Sequence, residues 1–407
     1  MPVKKIDAAE VEIGMYVSRL DRPWNETPFL FQGFPVRDLS EIEELKKQCR
    51  HVYIMVPDEE IEISAVPAGR RGSLPADLVG KKKYQTTTSA REEVQAVHQS
   101  HDELVSVLWD VESMLLEKNE LKLNMVEKSV DVMIESIERN PDAYIWLNRI
   151  KKFDSFFYRD ALNASVWAAT LGRELGLEKE KLNALATGAL VMDIGKTALP
   201  AEILNKTDKL TDDEWAIMKT HVEHGVRILS EAADVSPEVL DIVRTHHERL
   251  DGSGYPAVLK GDSIPLLGQI AGIVDFYVSV TTPRPYAQAV SSSNAVYMLY
   301  QQQGHYFSEA LVKHFIQAIS TYPTGSLVEL SSGEVGVVIS QNPGLRLRPN
   351  VLLLLGPDKK SYDSYPVVSL VDYSCGNSDK PVKIAKTLAE GTYDISIEEL
   401  TVLLPAE

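Results

Sequence analysis

The strongest constraint on the fold is a helical period that begins at Ala90 and continues to about residue 322. Its first part is long, charged and helix-favouring, with apolar residues about three and four places apart. Farther along, Thr211 followed by Glu214 forms a capping-box pattern that marks the start of a helix. The sequence therefore predicts a helical connector over 90–149 and an all-α bundle over 150–324.

The regions on either side of this stretch have different patterns. Residues 1–65 mix short apolar runs with one helical segment, which predicts a small α/β domain. Residues 66–89 are rich in proline, glycine, serine and basic residues, as is typical of a linker. After Pro323 the pattern changes to alternation and turns, so residues 325–407 are predicted to form a β-rich appendage. The predicted fold class is mainly α.

The apolar stripe of the connector has two interpretations. It includes Val94, Leu104 and Leu108, which recur at helical spacing. Such a stripe can pair with a second copy in a coiled-coil-like homodimer, or it can pack against the rest of its own chain. The sequence leaves both open.

Charge and cysteine content exclude some classes of function. Acidic residues outnumber basic ones by 59 to 42, and the formal charge of −17 disfavours a binder of duplex nucleic acid. Cys49 and Cys375 lie far apart, which argues against a disulfide framework. No segment reaches the ~18 uninterrupted apolar residues of a membrane span. We therefore expect a cytoplasmic protein without a membrane span.

Several short segments carry residues that are unusual in a helix bundle. They are Asp193 within MDIGK, His221 within KTHVEHG, the pair His246 and His247, and Asp275 inside an apolar helix. A buried carboxylate such as that of Asp275 is costly unless it is paired or bound to a metal. Imidazole nitrogens and carboxylate oxygens from several helices suit first-row metals, and a bound metal can activate water near neutral pH.

The segment HHERLDGSGYP, residues 246–256, resembles the signature of HD-GYP domains. The surrounding segments MDIGKTALP, MKTHVEHG and VDFYVSVTTPRPY follow in the order and spacing of that family. The resemblance covers roughly residues 150–325. The first hundred or so residues, with GMYVSRLDRPW and FLFQGF, resemble the uncharacterised domain that often precedes HD-GYP domains.

The resemblance implies an HD-superfamily helical bundle that holds two or three metal ions and hydrolyses cyclic di-GMP. It assigns Asp193 as the carboxylate that bridges the ions, and it assigns His221, His246 and His247 to the shell of one ion. Asp275 corresponds to a carboxylate of the neighbouring ion. The ligand in this interpretation is cyclic di-GMP or a related dinucleotide.

The resemblance also assigns residues to the substrate. Lys196 corresponds to a lysine beside the scissile phosphate, and Arg284 to a phosphate-binding arginine, a role that suits a bidentate guanidinium. The chain retains the family's loop motif as Gly254, Tyr255 and Pro256. The glycine permits close approach of a ligand to the backbone, and the tyrosine can stack or hydrogen-bond.

The chain departs from the family at positions that bear ligands. Met192 stands in place of the histidine of the His-Asp pair, and a thioether is a poor ligand for Fe or Mn. Asp160 stands in place of a second histidine. Other family residues are replaced by Phe156, Val278 and Ala287. Asp193, Asp275 and Asp160 remain for the second ion, so we expect one divalent ion (Mn, Fe or Mg) rather than two or three.

Three hypotheses follow for function. The first is a degenerate phosphodiesterase of cyclic di-GMP signalling with weak or no hydrolysis, which binds the dinucleotide or signalling proteins. The second is an active metal-dependent phosphodiesterase with a rebuilt metal site. The third is a protein-interaction scaffold in which the bundle has lost its chemistry.

Overall fold

The structure is a computed structural model, and two compact units are found in it, Met1–Arg71 and Gly72–Glu407. The residues that it describes are 3–11, 15–22, 34–36, 39–55, 80–116, 123–150, 156–232, 235–282, 289–342, 345, 347–374, 382–388, 391–397 and 400.

The first unit is a small α/β fold. Its strands β1 (Val3–Asp7), β2 (Tyr16–Leu20), β3 (Phe34–Pro35) and β4 (His51–Met55) form an antiparallel sheet in the order β1-β4-β2-β3. Helix α1 (Leu39–Gln48) precedes β4. The helix and the residue that follows it bury Ile42, Leu45 and Cys49, whose spacing of three and four residues places them on one face. This face and the sheet form a separate hydrophobic core.

The second unit is mainly helical. Its helices are α2 (Ala90–Leu116), α3 (Leu123–Arg139), α4 (Pro141–Ile150), α5 (Phe156–Glu174), α6 (Lys179–Val191), α7 (Ala201–Leu204), α8 (Asp212–Lys219), α9 (His221–Glu231), α10 (Pro237–Thr245), α11 (Leu266–Thr281), α12 (Ser292–Gln302) and α13 (Glu309–Ile319). Helix α8 begins at the predicted capping box, where the Thr211 and Glu214 side chains each accept a hydrogen bond from the other residue's backbone N–H.

The region predicted as a connector packs within the chain. Val94, Leu104 and Leu108 of α2 are buried in the same hydrophobic core as the buried residues of α5 and α6. In the structure this apolar stripe therefore packs against other helices of the same chain. Because α2, α3 and α4 share this core, the helical domain extends well before residue 150.

The end of the predicted linker is also bound to the helical domain. The backbone N–H of Gly80 donates to the Leu175 carbonyl at 3.0 Å, and the Tyr84 hydroxyl donates to the Leu177 carbonyl at 2.7 Å. Residues 80–84 therefore lie against the turn after α5, although the composition of this segment is typical of a linker. Residues 66–79 lie outside the described part of the chain.

A five-stranded antiparallel sheet follows the helices. Its strands are β5 (Leu327–Leu330), β6 (Val335–Ser340), β7 (Asn350–Leu355), β8 (Val367–Ser369) and β9 (Ile384–Leu388), in the order β8-β7-β6-β5-β9. One face of this sheet contributes Leu327, Val335 and Leu352 to the helical core. The other face forms a core with Leu353 and Leu370.

The predicted fold class is confirmed, since the chain is mainly α with small sheets at both ends. None of the helices in the described ranges is long and apolar enough to cross a membrane. Cys49 is a free, buried thiol, and Cys375 lies outside the described residues.

Candidate metal centre

Four ligand-type side chains meet where three helices begin or end. Asp193 follows α6 and opens the 3-10 helix Ile194–Ala198, and His221 is the first residue of α9. His246 caps the C-terminus of α10, and His247 comes directly after it. Each of these residues offers one oxygen or nitrogen, and these four atoms all lie within 4.8 Å of one another. A single cation can therefore be reached by all four.

Backbone carbonyls orient two of the imidazoles. His221 Nδ1 lies 2.7 Å from the Met218 oxygen, and His246 Nδ1 lies 2.9 Å from the Val243 oxygen. Because a carbonyl only accepts hydrogen bonds, each Nδ1 carries the proton and each Nε2 keeps its lone pair. The Nε2 atoms of His221 and His246 lie 3.3 Å and 3.8 Å from Asp193 Oδ1. The lone pairs are thus available for a metal.

Three buried polar atoms in this cluster have no hydrogen-bond partner among the residues that the structure describes. They are Oδ1 of Asp193 and the Nε2 atoms of His221 and His246. Leaving a buried donor or acceptor unsatisfied costs about 1–3 kcal/mol, so three such atoms at one point are unusual without a ligand. A divalent cation would satisfy all three, and a set of imidazoles with one carboxylate suits first-row metals. The residues therefore fit a metal ion.

The charge states of the cluster also suit metal binding. Burial by itself would raise the pKa of Asp193, but the Lys196 ammonium, 2.6 Å away, holds that pKa well below its usual value. Burial lowers the pKa of His246 to about 3, and burial is also the main cause that lowers the pKa of His247. At neutral pH the carboxylate is ionised and both of these imidazoles are neutral, which are the forms that coordinate a metal.

The other predicted ligands lie outside this set of four. Asp275 is on α11, with its Oδ2 3.5 Å from His247 Nδ1, so it borders the cluster. Asp160 is on α5 and is not among the four. In the described part of the chain this is the only group of three or more histidine, cysteine or acidic residues with ligand atoms so close together.

Two departures from the family pattern are buried in the hydrophobic core. Met192, which caps the C-terminus of α6, is 3% exposed and packs in the main core. Val278 on α11 is also 3% exposed and belongs to the same core. The side chains at these two positions contribute to packing and offer no hard ligand beside Asp193 and Asp275.

Comparisons with known proteins cover most of the chain. The HD domain family profile matches residues 131–311, and that of a domain of unknown function, DUF3391, matches residues 3–127. A cyclic di-GMP phosphodiesterase of Pseudomonas aeruginosa is 29% identical over 90% of this chain and 89% of its own length. Residues 131–311 are thus an HD domain, and the chain is similar to cyclic di-GMP phosphodiesterases of the HD-GYP family.

Other HD-GYP relatives match over shorter regions. A cyclic di-GMP phosphodiesterase response regulator of Xanthomonas campestris is 36% identical over 36% of this chain and 39% of its own length. A 3'3'-cGAMP-specific phosphodiesterase of Vibrio cholerae is 29% identical over 52% of this chain and 41% of its own length. A solved HD-GYP-type structure from Bdellovibrio bacteriovorus aligns with a TM-score of 0.42 at 16% identity, over 78% of this chain and 99% of that one.

The loop that carries Gly254, Tyr255 and Pro256 lies beside the ligand cluster formed by Asp193 and the three histidines. The Tyr255 ring stacks on the His247 ring, with centroids 4.6 Å apart and planes 27° apart. A Cβ on Gly254 would lie 2.4 Å from the backbone nitrogen of Arg249, so no larger residue fits there without a shift. The peptide bond between Tyr255 and Pro256 is cis. The loop thus brings an aromatic face next to the ligand cluster.

The sequence analysis missed the residue that holds this loop in place. Glu248 is buried, and its carboxylate accepts hydrogen bonds from the backbone N–H groups of Ala257 at 2.7 Å and Leu259 at 2.9 Å. The only sequence signal was an acidic residue directly after the histidine pair. Because both oxygens are used within the loop, Glu248 acts as a positioning residue for Tyr255.

A second aromatic side chain beside the loop was also missed. Trp215 on α8 is 42% exposed, and its ring meets the Tyr255 ring edge-on at 6.5 Å. Lys219 Nζ lies 5.8 Å from the Trp215 centroid and 5.5 Å from the Tyr255 centroid. These three side chains form an aromatic and cationic wall next to the metal cluster. Arg284, the predicted phosphate-binding residue, lies outside the described residues.

Proposed function

We propose that this protein binds one divalent metal ion and a cyclic dinucleotide of the cyclic di-GMP class, and that it hydrolyses the dinucleotide weakly or not at all. The observation that carries the proposal is the contrast between the four-residue ligand cluster and Met192, the residue directly before Asp193. The cluster of Asp193, His221, His246 and His247 is complete, whereas Met192 is buried in the apolar core. The relatives' phosphodiesterase names support the ligand class.

The described side chains have separable roles in this proposal. Asp193 and the three histidines hold the ion, of which Mn, Fe and Mg are the candidates. A divalent ion, when bound, lowers the pKa of coordinated water and stabilises negative charge on a phosphate. The Lys196 ammonium lies at the edge of the site, with its Nζ 2.6 Å from Asp193 Oδ2. A phosphate bound there would meet this ammonium.

The aromatic wall gives the dinucleotide a surface to stack on. Tyr255 and Trp215 present ring faces and edges beside the cluster, and Lys219 adds a positive charge over both rings. Stacking of a base on an aromatic side chain contributes about 1–3 kcal/mol. Because this wall does not depend on the second ion, ligand binding is expected to survive better than hydrolysis.

Weak hydrolysis follows from the loss of hard ligands for a second ion. Cleavage of a phosphodiester by two metals uses the pair to stabilise both the attacking and the leaving oxygen. Removing one electrostatic contact to a transition state typically lowers turnover by about 10²–10³-fold. The Met192 thioether and the Val278 side chain supply no replacement for that contact.

The proposal is tested by metal content and turnover measured together. Purified wild-type chain, dialysed against Mn²⁺, is expected to hold one ion by elemental analysis and to turn over cyclic di-GMP slowly. The double substitution Met192→His and Asp160→His is expected to raise metal content to two ions and turnover by about 10²-fold or more. Val132→His, at an exposed position on α3, is the matched control and should change neither.

The outcomes separate this proposal from its two alternatives. Two tightly held ions in the wild type, with turnover that the double substitution does not increase, would show an active phosphodiesterase with a rebuilt site. Absence of both metal and dinucleotide binding by calorimetry would favour a protein-interaction scaffold. A cytoplasmic location and signalling partners remain predictions from the sequence.

A further inference from the structure

Lys219 lies at the end of a helix that leads directly into the metal centre. It is half-buried in the last turn of α8, and His221 follows two positions later. It forms no ion pair with a carboxylate in the described part of the chain. Lys206, just before the same helix, is by contrast paired with Glu214 at 2.6 Å. In a chain with a formal charge of −17, a lysine without an acidic partner has its donors available for a ligand.

Two aromatic rings define where the Lys219 ammonium lies. Its Nζ is 5.8 Å from the centre of the Trp215 ring and 5.5 Å from the centre of the Tyr255 ring. These two rings meet nearly at a right angle, with planes 79° apart. The ammonium therefore lies close to both rings, at the corner where they meet. The attraction between a cation and an aromatic ring favours this position.

A base stacked at this corner would turn its edge toward the ammonium. One face of the Tyr255 ring is already covered by the His247 ring, whereas the Trp215 side chain is 42% exposed. Stacking places a flat base parallel to one ring. Because the two rings are nearly perpendicular, a base parallel to one of them points its edge at the other. The Lys219 donors thus meet the edge of the base.

An ammonium at the edge of a purine distinguishes guanine from adenine. Lysine carries three donors and no acceptor. Guanine presents two neighbouring acceptors, N7 and O6, and lysine pairs well with both. Adenine presents N7 beside an amino group, which is itself a donor. Adenine would therefore set a donor against the ammonium and leave one hydrogen bond unmade.

We propose that Lys219 is a specificity-determining residue that selects a guanine at this corner. The inference rests on the proposed function, because it requires a cyclic dinucleotide bound against Tyr255 and Trp215. One ammonium meets one base, so a single guanine in the dinucleotide is sufficient. The ligand class is then a cyclic dinucleotide with at least one guanine.

A different role for Lys219 has a different signature. An ammonium that only attracted the phosphates would act equally on all cyclic dinucleotides that share the same sugar–phosphate ring. Its removal would weaken each of them by the same factor. The discrimination between guanine and adenine is therefore the measurement that separates reading of the base from attraction of the backbone.

The test is calorimetric titration of the Mn²⁺-loaded full chain with cyclic di-GMP, 3'3'-cGAMP and cyclic di-AMP. The first two carry a guanine and are expected to bind within about threefold of each other, and cyclic di-AMP about tenfold or more weakly. Where a dinucleotide is turned over, the ratio of kcat/KM values measures the same discrimination.

Substitutions at Lys219 show whether this residue causes the discrimination. Lys219→Met keeps the length of the side chain and removes the ammonium, so the preference for guanine should fall to about threefold or less. Lys219→Arg keeps donors that pair with N7 and O6, and it should retain the preference. Lys181→Met, at an exposed position on α6, controls for the loss of one charge and should bind as the wild type does. Elemental analysis verifies that each variant holds its ion.

A preference for guanine that Lys219→Met removes and Lys219→Arg retains supports the proposal. Equal weakening of all three dinucleotides in Lys219→Met overturns it, because the ammonium then serves the phosphates. Equal binding of all three by the wild type also overturns it and leaves the dinucleotide function in place. If the wild type binds none of the three, the proposed function itself fails, and the role of Lys219 fails with it.

Discussion

At the scale of single residues, the metal centre depends on one close approach between turns. A Cβ on Gly195 would lie 1.9 Å from the His221 oxygen and 2.4 Å from the Gly225 nitrogen. Glycine at this position therefore lets the turn that carries Asp193 pack directly against the first turn of α9. That contact brings Asp193 Oδ1 within 3.3 Å of His221 Nε2.

Removing one of the histidines should abolish metal binding. His221→Ala deletes a buried imidazole whose Nε2 has no hydrogen-bond partner in the described part of the chain, so metal affinity is expected to fall by at least about 100-fold. Elemental analysis after dialysis against Mn²⁺ measures the loss. His224→Ala is the matched control on the same helix, since the His224 ring contacts Arg227 rather than the cluster. Equal metal content in the two variants would contradict the assigned ligand set.

At the scale of elements, the loop after α10 is held by side chains that come just before it. Glu248 accepts two backbone hydrogen bonds from the loop. The Arg249 guanidinium donates to the carbonyl oxygens of His246 and Glu248 at 3.0 Å and 2.8 Å. The aromatic face of Tyr255 is therefore positioned by the Glu248 carboxylate, which holds the loop, and by the Arg249 guanidinium, which binds the carbonyl of the residue that caps α10.

The substitution Glu248→Gln should make the loop more mobile without removing the metal. In Glu248→Gln one accepting oxygen becomes an NH₂ group, so either Ala257 or Leu259 loses its partner. A loss of about 1–3 kcal/mol should raise amide exchange at residues 257–259 by about tenfold or more, measured by hydrogen–deuterium exchange. Metal content should stay unchanged. Glu238→Gln, at an exposed site on α10, controls for the charge change, and equal exchange in both variants would refute the role of Glu248.

At the scale of the whole molecule, the helical domain and the C-terminal sheet are joined by a buried carboxylate. Asp142 of α4 accepts hydrogen bonds from the Thr324 hydroxyl at 2.7 Å and from the Gln341 N–H at 2.9 Å. Burial raises the pKa of Asp142, and the two hydrogen bonds only partly oppose this effect. The folded protein therefore holds the Asp142 proton more tightly than the unfolded chain does.

This raised pKa predicts a pH dependence of stability. Between the usual value of 3.8 and the higher folded value, only the folded state keeps the proton, so stability falls as pH rises through that interval. Asp142→Asn has no proton to lose. The free energy of unfolding of wild type minus that of Asp142→Asn should decrease as pH rises above about 4, by at most about 1.4 kcal/mol per pH unit.

Urea unfolding of both proteins across this range measures the difference. Asp241→Asn, at a partly exposed position on α10, is the matched carboxylate-to-amide control. Parallel profiles for wild type and Asp142→Asn would contradict a raised pKa at Asp142.

Local sequence patterns were sufficient for the class of fold and for the family. The period of three and four residues predicted the helices, and the capping box at Thr211 and Glu214 was confirmed in both of its hydrogen bonds. The HHERLDGSGYP segment indicated the HD-GYP family, which the comparisons confirmed. The predicted cluster residues Asp193, His221, His246 and His247 are brought together by the structure.

Other features were decided only when the chain packed. The period of α2 could not distinguish a dimer seam from an internal face, since apolar spacing does not specify the partner. Asp142 meets Thr324 and Gln341 from positions 182 and 199 residues away, and no local pattern encodes such contacts. Helical period and caps depend on neighbours within about four residues, so the sequence determines them directly. Burial of Met192 and the pKa of Asp142 depend on surroundings assembled from distant segments, which only the tertiary structure supplies.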